Sequence, residues 1–144
     1  MERGPSMTGY TAAESQALIK RARVLYLSQN PFDPHKKAVP AVDGSGMPAG
    51  FMTFPDIGEM QILGCKLGME YLAICHDEDA VEDWINTCLS LAKSPELTGI
   101  LMANVFRGIN TVLGEILNGR RDAMTAFAID AWGRDFSKGE QSDV

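Results

Sequence analysis

Between Leu97 and Gly114 the chain carries a single charge, Arg107, and this stretch most limits what the rest can fold into. Leu97, Leu101, Val105, Ile109, Val112 and Ile116 recur at helical spacing, while Met102 and Phe106 put apolar bulk elsewhere on the same helix. A helix that is apolar on most sides is buried on most sides. The segment from about 95 to 118 is therefore expected to be the central helix of a bundle, or half of a subunit interface. Ser94 as cap, Pro95 at the first helical position and Glu96 in the first turn mark its start, and Asn118-Gly119 its end.

The other helices are signposted by caps and spacing. Thr11 to Glu14 reads as a capping box for a first helix that turns Leu18, Ala22 and Leu25 inward, with Ile19 and Tyr26 beside them; Asn30-Pro31 stops it. A second helix begins at Asp56, capped from Thr53 or Asp56, and carries Met60, Leu63, Leu67, Tyr71 and Ile74 on one face. Its Gly64 and Gly68 lie one turn apart, at a cost of about 1 kcal/mol each against alanine. Close approach of another backbone would repay that cost. Asp79 to Glu82 reads as the box of a third helix, whose apolar face is Val81, Trp84, Ile85, Cys88, Leu89 and Ala92. A fifth helix, from about 120 to 136, is expected to bury Met124, Phe127, Ala128 and Ala131. The fold class is thus all-α. A single-domain bundle of about five helices is expected over residues 11–136, between a flexible N-terminus (1–10) and a disordered tail (137–144).

Residues 29–52 interrupt this pattern. Pro31, Pro34, Pro40 and Pro48 exclude a useful helix, and Asp43-Gly44-Ser45-Gly46 has turn chemistry, so a long loop is expected. It could serve as a tether, as an arm or lid, or as an anion cradle built on His35, Lys36 and Lys37. No Walker A or G-x-G-x-x-G pattern supports the cradle.

The 144 residues suffice for one core burying roughly 70% of the unfolded surface. A net charge of −6 argues against nucleic acid, which requires a basic face. Arg120, Arg121 and Arg134 interleave with Asp122, Asp130 and Asp135, the pattern of a salt-bridged helix surface. Cys65, Cys75 and Cys88 form no C-x-x-C pair, consistent with reduced thiols in the cytoplasm. No apolar stretch opens the chain, so no secretory signal is expected, and Met7 is an alternative start. No run of eighteen apolar residues occurs, so no membrane span is expected either.

Catalytic signatures are scarce. The run Cys75 to Asp79 mixes metal-ligand types but reads as a helix end, a turn and an acidic helix start, so neither metal nor cofactor is expected. There is no G-x-S-x-G and no Glu-x-x-His pair. What remains is a polar seam on the fourth helix formed by Asn104, Arg107 and Thr111. A buried Arg107 would need a partner, whether Glu115, Glu70 or Asp130 within the chain, a second subunit, or an acidic ligand. The leading expectation is a non-enzymatic interaction module, such as an adaptor, a secretion-type chaperone or an inhibitor of another protein. It would form a homodimer through Met102 and Phe106 and bind a protein partner. One alternative is a helical small-molecule binder or enzyme, with its pocket at Arg107 and Asn104 closed by the 29–52 segment. Another is a structural subunit of a viral or secretion assembly.

Overall fold

The elements run, in chain order, α1 (Ala12–Gln29), β1 (Lys37–Val42), β2 (Pro48–Phe54), α2 (Ile57–Ile74), α3 (Glu78–Ala92), α4 (Pro95–Leu117), a 3-10 turn (Asn118–Arg120) and α5 (Arg121–Gly133). They come from a computed structural model that describes residues 9–135 and 137. The chain is mostly helical, as its caps and periodicity imply, with one small two-stranded sheet in addition. It divides into two compact units, Met1–Ile109 and Asn110–Val144. The terminal segments expected to be flexible, 1–10 and 137–144, lie almost wholly outside the described residues.

The core of the first unit is built on α2. Met60, Leu63, Leu67 and Ile74 are buried, as their spacing implies, and Gly64 and Gly68 are buried with them. α3 adds Trp84, Cys88 and Ala92, and α4 adds Leu101, Val105 and Ile109. The Trp84 indole N–H donates to the Leu67 carbonyl at 3.0 Å, and its ring meets Tyr71 with centroids 5.0 Å apart. The glycines explain the close seat of α4 on α2. A Cβ on Gly64 would lie 2.8 Å from the Asn104 carbonyl carbon, and one on Gly68 would lie 2.9 Å from the Val105 carbonyl oxygen. From the other side, a Cβ on Gly108 would come within 2.7 Å of the Cys65 Cα. Three absent side chains therefore set the distance between two backbones.

Several faces differ from expectation. α2, and not α4, supplies more buried positions than any other element. On α1 the inward side is Ile19, Arg23, Tyr26 and Leu27, one residue round from the Leu18–Ala22–Leu25 face, and no residue of α1 is fully buried. α3 starts two residues early, capped by Asp77 accepting from the Ala80 amide at 3.2 Å, and it leaves Ile85 and Leu89 exposed. Lys93 ends α3 in the left-handed region at φ 70°, a place more often held by glycine.

In the second unit α5 buries none of its residues. Met124 is half-buried, and Phe127, Ala128 and Ala131 are exposed against expectation, as are Ile129 and Trp132. The physical reason is size, since a unit spanning 110–144 has too few residues to enclose a core, for which about 40 is a practical minimum.

Candidate interaction surface

The segment expected as a loop is an antiparallel hairpin in its middle. Val39 faces Met52 and Pro40 faces Phe51, and the register then slips so that Val42 faces Pro48. The extra residue falls on β2 at Ala49-Gly50, where Gly50 takes φ +88°, the signature of a glycine bulge. Prolines are tolerated because both strands of a two-stranded sheet are edge strands. No alternation announces the strands because neither face is covered: apart from Ala41 and Phe54, every strand residue is exposed. Phe51 is 72% exposed and Met52 58%.

An isolated hairpin in water is marginal, so something must hold this one. At the tip, one Asp43 carboxylate oxygen accepts from the Ser45 hydroxyl (2.7 Å), the Ser45 amide (2.8 Å) and the Met47 amide (3.0 Å). Those donors, the hydroxyl first, hold the carboxyl below its ordinary pKa. At the base lie the three residues singled out as an anion cradle, and each is already engaged. The His35 imidazole Nδ1 shares a hydrogen bond of 2.8 Å with the Thr53 hydroxyl. The Lys36 ammonium pairs with Glu59, whose hydrogen bond and charge raise its pKa. Lys37 reaches Asp56 at 3.5 Å. Asp56 also caps α2 by accepting from the Glu59 amide at 3.0 Å, and that bond, followed by Lys37, lowers its pKa. The lysines clasp the hairpin to the start of α2, and buried Pro34 and Pro55 flank the clasp. Between Ala38 and Pro55 the only charge is Asp43 at the tip, so the body of the hairpin presents an uncharged surface in an acidic chain.

The residues proposed on α4 do not converge. Asn104 is half-buried where α4 crosses α2, its amide donating to the Ile100 carbonyl at 3.0 Å. Arg107 is exposed, which removes the premise that it must be paired, and Thr111 is exposed as well. Met102 packs partly against the core, whereas Phe106 is 63% exposed. The pair proposed as one interface therefore splits into a core residue and a surface residue.

The run at 75–79 joins α2 to α3. Cys75 ends α2 and Asp77 caps α3 while accepting from the Gln16 side chain at 2.8 Å, which ties α1 to α3. That bond, followed by the capping amide, lowers the Asp77 pKa. Among the described residues no three His, Cys, Asp or Glu side chains gather at metal-binding range. Cys88 is buried and its thiol is pushed up to about 12, chiefly by burial and then by nearby Glu70. Arg134 pairs with Asp130 one turn back, one ion pair of the salt-bridged pattern expected there.

Sequence reasoning passed over the most exposed apolar side chains of the hairpin. Phe-Met-Thr-Phe (51–54) following an Asp-Gly-Ser-Gly turn was the available signal for a strand. It also passed over a test that mean hydropathy meets where a strict apolar run does not. The stretch Pro95–Gly133 is long and apolar enough, by length and composition alone, to cross a membrane, and little of it is buried. No family model matches the chain, and neither a curated protein nor a solved structure matches it.

Proposed function

We propose that this chain is a non-enzymatic interaction module that docks a protein partner through the 37–54 hairpin. The supporting observation is a hairpin braced at tip and base, yet largely uncovered and uncharged along its middle. Folding alone gives little reason to order such an element, since it buries almost nothing. A partner strand or apolar groove gains a preformed surface and loses less entropy on binding than it would with a loose loop. An adaptor, a secretion-type chaperone or an inhibitor could each use such an arm.

The reading includes a homodimer. In the bundle we infer, α4 works on two sides, with Leu101, Val105 and Ile109 inward and Phe106 outward toward a second copy. Exposed Cys65 and Cys75 fit a reducing cytoplasm, where such thiols are not drawn into disulfides.

The test is a double substitution, Phe51→Ser with Met52→Ser, in the full chain. Helical circular dichroism and melting temperature should stay within the small range typical of surface changes, about 0.5 kcal/mol. Partners captured by the wild-type chain should be lost. A variant that unfolds would make the hairpin a folding element, and one that keeps every partner would place docking elsewhere.

A further inference from the structure

α1 and α2 leave an apolar groove between them, and its lining suggests a ligand. The groove has a volume of about 330 Å³ and is walled by Ile19, Ala22 and Leu27 from α1 and by Leu63, Leu67 and Ala73 from α2. That volume is at the lower end of small-molecule pockets. It persists because α1 is held in part by polar bonds at reach. Arg23 bridges to Glu70 at 2.7 Å, with both side chains mostly buried. Gln16 bridges to Asp77 at 2.8 Å.

The charges along the lining are Arg23, Lys66 and Glu70, which sum to +1 in a chain of −6. Arg23 and Glu70 satisfy one another, so the surplus is Lys66. Its ammonium lies 4.5 Å from the centroid of the Tyr26 ring, and among the described residues no carboxylate pairs with it. Its one-turn neighbour Glu70 is already held by Arg23. An apolar trough with one surplus cation on its wall complements an unbranched chain with one anionic head. A groove at the lower end of small-molecule volumes takes a medium-length chain. We propose that the α1–α2 groove binds a free medium-chain carboxylic acid, its tail along Ile19, Leu63 and Leu67 and its carboxylate on Lys66. This site is separate from the hairpin and stands whether or not the hairpin docks a partner.

The experiment is calorimetric titration of the full chain with straight-chain carboxylates of increasing length, each below its micelle concentration. Decanoate is the reference probe. Affinity should rise about fourfold per added methylene until the groove is full, then level off. Lys66→Gln should weaken decanoate about tenfold while leaving decanol unchanged. Ala22→Trp, which fills the groove from an exposed position on α1, should abolish both, with circular dichroism confirming the fold. Affinity that ignores chain length, a Lys66→Gln variant that binds decanoate as before, or no heat with any carboxylate would each overturn the proposal.

Discussion

The α2–α4 crossing and the 37–54 hairpin are opposite solutions to the same problem of ordering backbone. At the crossing, order comes from subtraction: Gly64, Gly68 and Gly108 let two helices touch, and Leu101 and Val105 seal the contact almost free of solvent. In the hairpin, order comes from polar bonds at the two ends, while the middle stays exposed. Burial makes the first region expensive to alter. The second can change its exposed surface at almost no cost to the fold, which is the property expected of a surface that meets something else.

The contrast breaks most visibly at Leu101. Leu101→Ala should cost about 2–5 kcal/mol, because the site is fully enclosed and cannot collapse easily around the void. Gly64→Ala should cost about 1–3 kcal/mol although alanine favours helix, because its methyl would meet the Asn104 Cβ at 2.6 Å and the backbone beside it, none of which can swing away as a side-chain end can. Chemical denaturation of the two variants checks both figures. If Gly64→Ala were neutral, the crossing would be looser than its contacts imply.

Met102 and Phe106 sharpen the same comparison within one helix. They stand four residues apart, yet one packs partly on the core and the other projects outward. Met102→Asp should lose at least about 2 kcal/mol, since a carboxylate would be set against apolar neighbours. Phe106→Asp should keep its stability within about 0.5 kcal/mol. If α4 carries the dimer, native mass spectrometry should show Phe106→Asp as a folded monomer. Equal unfolding of both variants would return Phe106 to the core and remove it from any interface.

Where a residue's spacing answered to a packed neighbour, the sequence was legible. Met60, Leu63, Leu67 and Ile74 fall where their period placed them, the Thr11–Glu14 box forms with both of its bonds, and the glycines of α2 meet a backbone. Legibility failed where burial was partial or absent. α1 faces one residue away from its apparent stripe because polar Arg23 and Gln16 choose its side, and bonds between distant residues leave no local pattern. The hairpin shows no alternation because neither of its faces is covered. Arg107 demands a partner only if α4 is buried all round; its exposure satisfies the charge with water. The hairpin was thus the least legible region, since a face that its own chain leaves uncovered writes no packing pattern into the sequence.

The smallest expected effect tests how lightly α1 is attached. Asp77 accepts from Gln16 of α1 through one carboxylate oxygen and from the Ala80 amide of its own helix through the other. Its folded pKa is lowered, so its contribution is fully present above the ordinary carboxylate value and disappears as pH falls through the folded one. Asp77→Asn keeps an equally good helix cap but cannot titrate and has a single oxygen to share. The wild type should therefore melt slightly higher than Asp77→Asn at neutral pH, and the gap should close as pH falls below the ordinary carboxylate value and through the lowered one. All other carboxylates titrate alike in both proteins, so the gap isolates this one. Hydrogen exchange along α1 at neutral pH should be faster in the variant, whereas that of α3 beyond its first turn should not change. If the gap were constant with pH, Gln16 and Asp77 would not be partners in solution, and α1 would be held by Arg23 and its half-buried apolar residues alone.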